Sequence, residues 1–246
     1  MSDSSYVGLS HARALQRQLD ITANNIANAN TAGFKGERPV FEPVTPGQSP
    51  DAQTATAYVM DRGSYIDTQK GTLTRTENPL DIAVGGAGWL SYRVEGGQTA
   101  YGRDGSLTLD PDGALVTTSG ARLLDEGGAP VLLPPGLSDI RISADGTVTA
   151  EGTGPLARIG VFDVPDIQGF RRLGNGMMAP AEGAANATPI AVPNLIQGAL
   201  EGSNVNPVRE MTRLIDVQRA YERTTQLMDN DNGLTRDMLQ RLSRPA

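Results

Sequence analysis

One histidine, His11, is the only imidazole in the chain, and there is no cysteine at all. Proton transfer near neutral pH would have to rest on that one side chain, with no second imidazole or thiolate beside it to hold a metal. His11 lies in Ser10-His11-Ala12-Arg13, with no nucleophile paired to it, so a surface position is expected rather than catalysis. The missing cysteines exclude disulfides, thiolate chemistry and cysteine-based zinc sites. No G-x-S-x-G elbow occurs, and no Ser-His-Asp set can be assembled. Gly86-Ala87-Gly88 opens like a dinucleotide fingerprint, but Ser91 stands where the third glycine belongs and no helical pattern follows, so it reads as a hairpin turn. Asp229-Asn-Asp231-Asn-Gly233 opens like a calcium loop. Its glycine is fifth instead of sixth and its twelfth position is Gln240 instead of Glu, so a weak point in a helix is the better reading. The mid-chain carboxylates fall mostly in Asp-Gly pairs, where Asp serves the turn, and no glycosidase-type pair can be assigned. Trp89, the single tryptophan, starts a strand and reads as a core anchor, with carbohydrate stacking the lesser alternative. These residues predict no catalytic centre, no cofactor and no metal.

Composition narrows the class further. The 246 residues allow one large domain or two small ones. An aromatic content of 4% argues against a large aromatic core, while 29 glycines and 16 prolines call for many turns and short strands. A net charge of −7, with scattered basic residues, excludes a phosphate-neutralising surface, so no nucleic acid is expected as a partner. No basic start followed by an apolar run marks a cleaved signal peptide. No stretch approaches the roughly 20 apolar residues of a bilayer span, so no membrane insertion is expected.

With chemistry so sparse, the positioning elements carry the meaning, and they stand at the two ends. Gly8, Ala12, Leu15, Leu19, Thr22, Ile26 and Ala29 recur at alternate spacings of four and three, a heptad seam on one helix face. Met211, Leu214, Gln218, Tyr221, Thr225, Met228, Asn232, Thr235, Leu239 and Leu242 repeat that alternation, with Val208 and Ile215 widening the stripe. Asn206-Pro207 supplies an N-cap and a first-turn proline. A helix continuous from there to Leu242 would be ~54 Å long. Both seams are narrow and include polar members, so each needs another helix. A helical hairpin packed on a central domain and a bundle built from many subunits both satisfy this. The first helix is expected to begin near Ser4 or Ser5 and to fade within Asn24–Asn30, either as a frayed end capped near Gly33 or as a polar contact site.

Between the ends, regularity is expected to lapse from Phe34 to Val59, where Pro39, Pro43, Pro46 and Pro50 break helices and residues 47–57 read as a mobile loop. An extended connector resumes near Tyr58. Period-two strands are expected at Leu80–Val84, Trp89–Val94, Ser106–Leu109, Ala114–Thr117, Asp139–Ile142, Thr147–Ala150 and Ala157–Val164, separated by Gly-Gly and Asp-Gly turns. Asp104-Gly105-Ser-Leu-Thr-Leu is echoed at Asp112-Gly113 and Asp145-Gly146, each a turn followed by a strand. Residues 165–200 read as loop. The fold class is α+β: long N- and C-terminal helices pairing as a coiled-coil-like bundle, with an inserted antiparallel β-domain. The divisions are 1–35 (first helix and signature), 36–77 (connector), 78–193 (β-domain) and 194–246 (second helix).

Three further stretches carry a resemblance. Ala23-Asn24-Asn25-Ile26-Ala27-Asn28-Ala29-Asn30-Thr31-Ala32-Gly33-Phe34-Lys35 resembles the ANNIAN-x-x-T-x-GFK signature of the bacterial flagellar rod and hook proteins. Glu201-Gly-Ser-Asn-Val-Asn206 with Glu210-Met211 and Gln218–Glu222 resembles their C-terminal signature. Asn78–Val84 and Tyr101–Leu107 resemble the β-domain of the members that carry an insertion. Within the family, the chain length, Tyr6–Ser10, Arg62-Gly63 and Asn204–Pro207 look most like the proximal rod branch. The resemblance implies a structural subunit and not an enzyme. It would polymerise through its terminal helices into the periplasmic drive shaft that transmits motor torque to the hook. The implied partners are other copies, neighbouring rod proteins and the flagellar type III export apparatus, with export proceeding without a cleaved signal peptide. The implied axial-seam residues are Leu15, Leu19, Asn24, Asn25, Ile26, Asn28, Met211, Leu214, Gln218 and Tyr221, with the asparagines satisfying backbone groups between subunits. A different rod or hook member, a carbohydrate-active enzyme using the β-domain and a free-standing coiled-coil oligomer are the competing readings.

Overall fold

The computed structural model describes residues 3–44, 58–137, 139–181 and 187–242. The loop expected at 47–57 lies outside the described residues. The chain divides into two compact units. One holds residues 1–27, 37–65 and 206–246, and the other holds 28–36 and 66–205.

The first unit is built on two helices, α1 (Asp3–Ala27) and α2 (Pro207–Leu242). The side-chain oxygen of Asn206 accepts from the Arg209 amide at 3.1 Å, capping α2 just ahead of Pro207, whose missing N–H removes no helical bond. The helix then runs unbroken through Asp229–Gly233, so that run forms no calcium loop. The Thr224 hydroxyl lies 3.2 Å from His11 Nδ1 and donates to the Ala220 carbonyl at 2.9 Å, which places the lone histidine in a contact between the helices. Residues 37–44, expected to be irregular, instead form a strand, Glu37–Val44, paired with Tyr58–Ile66. Pro39 and Pro43 are four residues apart and so share one edge of that strand, and a two-stranded sheet has edges free to take residues without an N–H.

The second unit carries the antiparallel strands. Its main sheet runs, in spatial order, Phe170–Arg172, Met178–Pro180, Thr99–Gly102, Trp89–Arg93, Arg122–Leu123, Leu115–Thr117 and Leu107–Leu109, with Val161–Asp163 also pairing onto Trp89–Arg93. Ser91 stands opposite Tyr101, and Tyr92 stands between Ala100 and Leu123. Residues 157–164, expected as one strand, are divided. Pro155–Arg158 closes a three-stranded sheet with Thr147–Thr149 and Arg141–Ile142, while Ile159 bridges to Asp125 and Val161–Asp163 joins the main sheet. Residues 165–200, expected as loop, contain strands among those described. They supply Phe170–Arg172, Met178–Pro180, Leu195–Gln197 and, at the end, Ala199–Glu201, of which the last two pair with Ile82–Val84 and Leu73–Arg75. Strands of two or three residues are too short for alternation to show in sequence. Ile82, Leu90, Tyr92, Leu123, Val148 and Ile159 form the centre of one apolar cluster. Trp89, Phe162, Phe170 and Met178 form a second, so Trp89 is a core residue.

Candidate functional site

Within the β-bearing unit, the three signature stretches meet at one point. Residue Gly33 occupies a left-handed conformation, φ +66°, and a Cβ there would stand 2.2 Å from the Arg103 carbonyl carbon. Only glycine lets the 28–36 segment lie this close to the Tyr101–Gly105 stretch. The Gly33 amide donates to the Glu201 carbonyl at 2.7 Å, and the next residues are thereby aimed inward. Phe34 is 1% exposed, with the Arg172 guanidinium 4.8 Å from its ring centroid. Lys35 follows and is fully buried.

The Lys35 ammonium donates to Glu201 Oε1 at 2.5 Å and to the Gln69 carbonyl at 2.7 Å. Arg103 Nη1 donates to Glu201 Oε2 at 3.0 Å, and the Gly71 amide donates to Oε1 at 3.0 Å. Arg103 also donates to the Val84 and Gly86 carbonyls at 3.2 and 3.3 Å, with its guanidinium 5.3 Å from the Trp89 ring centroid. Side-chain exposure is 0% for Lys35, 1% for Glu201 and 5% for Arg103, so one carboxylate holds two cations out of water. Asn204 closes the outer edge. Its oxygen accepts from the Gly36 amide at 2.7 Å, its side-chain amide donates to the Asp67 and Gln69 carbonyls, and its backbone amide donates to the Phe34 carbonyl.

Burial pulls the Lys35 ammonium below its ordinary value near 10.5 despite the neighbouring carboxylate. Burial pushes Glu201 the other way, but the hydrogen bond and charge of Lys35, the Gly71 amide and Arg103 outweigh it and hold the carboxyl below its ordinary 4.5. A carboxylate so held stays ionised at neutral pH and keeps the cluster paired. The carboxylate and both cations are buried and paired, which makes the cluster a staple joining residues from both ends of the sequence. Among the described residues no group of three or more His, Asp or Glu could hold a metal.

The residues expected on the axial seam are distributed as follows. In α1, Leu15 and Asn25 are buried, Leu19 and Ile26 half-buried, and Asn24 exposed. Asn25 donates to the Glu37 carbonyl at 2.9 Å and accepts from the Glu37 amide at 3.0 Å, so its amide is engaged within the chain. Asn28 belongs to the other unit and accepts from the Thr31 hydroxyl at 3.2 Å. In α2, Leu214 and Tyr221 are half-buried, while Met211 and Gln218 are exposed. The row of α2 covered within the chain is Glu210, Val217 and Thr224, one position before Met211, Gln218 and Thr225. Sequence reasoning missed the Lys35–Glu201–Arg103 cluster. The available signal was a charged residue inside each of three glycine-bearing signatures.

Family models match three stretches of the chain. They are the flagella basal body rod protein model over residues 6–35, the flagellar hook protein FlgE/F/G D1 domain over 83–150, and the flagellar basal body rod FlgEFG protein C-terminal over 196–242. The chain is 39% identical over 246 residues to the flagellar basal-body rod protein FlgF of Caulobacter vibrioides, covering 99% of each. It is 37% identical over 233 residues to that of Rhizobium meliloti, covering 95% of each. It is 30% identical over 267 residues to the flagellar basal-body rod protein FlgG of Buchnera aphidicola subsp. Schizaphis graminum, covering 99% of this chain and 100% of the relative.

Proposed function

This chain belongs to the family of flagellar basal-body rod proteins and is FlgF-like, and from that premise we propose how it works as a structural subunit of the proximal rod. Its terminal helices pair in a coiled-coil-like manner and polymerise with those of other copies and of neighbouring rod proteins. The resulting shaft crosses the periplasm and transmits motor torque to the hook. The subunit reaches that place through the flagellar type III export apparatus, with its N-terminus uncleaved, and it catalyses no reaction. In this reading α1 and α2 serve as the assembly ends and the β-bearing unit, residues 28–36 and 66–205, as the body. Leu15, Leu19, Ile26, Met211, Leu214, Gln218 and Tyr221 contribute to the axial seam in this reading.

One observation carries the proposal. On α2, Val208, Met211 and Ile215 are 72%, 50% and 49% exposed, on a side that α1 leaves uncovered. They fall at i, i+3 and i+7, an apolar stripe suited to another helix. Burying such side chains against a neighbour stabilises by about 1.5–3 kcal/mol each, summed over every copy. Head-to-tail contacts that do not close generate a helical filament. No described helix is long and apolar enough to cross a membrane.

The test is incorporation into the rod. Cells lacking the native copy would express either this chain or its Met211→Glu/Ile215→Glu variant, and the chain would be quantified in isolated basal bodies. The parent is expected there and the variant is expected to be absent while still being exported. Equal incorporation of the two would sink the helix-mediated assembly.

A further inference from the structure

The staple joins Lys35 to a residue 166 positions later in the chain. The apolar clusters of the β-bearing unit are assembled from residues between Ile66 and Leu195, and neither includes a residue of 28–36 or 199–205. Both clusters are therefore made of residues that precede 199, while Phe34 and Ala199 are buried outside them. The 28–36 segment depends on a later residue. Without Glu201 the Lys35 ammonium, at 0% exposure, would keep only the Gln69 carbonyl, and Gly33 would lose the acceptor for its amide. A buried ammonium with one neutral partner is strongly disfavoured against the same group in water.

We infer that Glu201 is a completion latch: it closes residues 28–36 onto a body whose core forms without it, and until it arrives that segment stays open. In any chain that emerges N-terminus first, the segment made early is locked by a carboxylate delivered late. The stretch between α1 and the strand at Glu37 is then fixed only after Glu201 has been delivered. Two cations share the one carboxylate, Lys35 on Oε1 and Arg103 on Oε2, so closure fastens the 28–36 segment and the Tyr101–Gly105 stretch together. This inference does not depend on the rod reading, because it concerns the closing of one chain.

The chain has only two lysines, Lys35 and Lys70, and Lys70 is exposed. Brief acetylation of the native full-length protein with sulfosuccinimidyl acetate, read by mass spectrometry, therefore reports the latch with an internal standard. Lys70 should label readily and Lys35 hardly at all. In Glu201→Gln, Lys35 protection should fall by roughly 100-fold while Trp89 emission stays that of the folded protein. The Lys35→Met/Glu201→Gln protein, with no charge left to pair at those two positions, should keep the Gly33 amide protected from hydrogen exchange. Three outcomes would overturn the latch. Lys35 could label like Lys70 in the parent, Lys35 could stay protected in Glu201→Gln, or Trp89 could become solvent-exposed in that variant, which would make Glu201 a requirement of the core itself.

Discussion

Replacing Glu201 by Gln keeps the side-chain shape and removes the charge. Lys35 and Arg103, at 0% and 5% exposure, are then left beside each other with no carboxylate between them. Removing one partner of a buried pair costs about 3–5 kcal/mol, because the remaining charge stays desolvated. The new amide oxygen still accepts one hydrogen bond, which places the expected loss near the lower end, about 3 kcal/mol. For a chain of this size that is a fall of roughly 6–12 °C in the melting midpoint. Substituting Lys35→Met as well should return part of the loss, since the apolar side chain needs no counterion while Arg103 still lacks its carboxylate. The acid dependence has a definite sign. The folded-state pKa of Glu201 is lowered, so its contribution is complete above the ordinary value of 4.5 and disappears as pH falls through the folded value. The gap between parent and Glu201→Gln should therefore be full at neutral pH and shrink in acid. Urea unfolding followed by Trp89 fluorescence measures both, because that single tryptophan is 6% exposed and lies in the same unit. Parent and variant midpoints that agree within about 0.5 kcal/mol at neutral pH would refute the reasoning, since surface changes alone produce that much. A gap that persists undiminished in strong acid would refute it as well.

Other substitutions test neighbouring steps of the argument. Gly33→Ala forces a Cβ to 2.2 Å from the Arg103 carbonyl carbon at φ +66°, so it should destabilise by more than about 2 kcal/mol and expose Lys35 to acetylation. Asn25→Ala removes both hydrogen bonds to Glu37, an expected loss of about 1–2 kcal/mol seen as faster exchange of the Glu37 amide, with the Trp89 unfolding curve unchanged. Gly233→Ala meets nothing within 4 Å on an exposed turn of α2 and should raise helix stability by about 1 kcal/mol, read from the helical signal on heating.

The two helices were legible because their evidence is long. A heptad pattern repeated over α2 survives a run such as Asp229–Gly233, since each local weakness is small beside the cooperative whole. The choice of row within α2 was less legible. Leu214 and Tyr221 lie at the edge of the covered face, but its centre is Glu210, Val217 and Thr224, and a hydrophobicity pattern gives no weight to a buried glutamate or threonine. Strands such as Trp89–Arg93 and Thr147–Thr149 were readable from their flanking turns. Arg122–Leu123, Phe170–Arg172 and Ala199–Glu201 were not, because strands that short are defined by their partners in space.

The cluster itself shows why a signature can be recognised without its physical purpose being read. Nothing local marks Lys35, Arg103 and Glu201 as buried, since charged side chains are almost never fully buried unless paired. Pairing is a property of three sites far apart in sequence, and no local window contains it. The glycines nearby were the local clue. Gly33, at positive φ, brings Phe34-Lys35 close to the Arg103 backbone. The asparagines of the same signature divide in the same way. Asn25 binds both backbone groups of Glu37 inside the chain, whereas Met211 and Ile215 are about half exposed on the side of α2 opposite Glu210, Val217 and Thr224. Residues of the signatures thus do both: Lys35, Glu201 and Asn25 are paired within the chain, while Met211 is half exposed on α2. Charge-removing changes at Glu201 should accordingly act on the monomer, and charge-adding changes at Met211 and Ile215 should act only on its assembly.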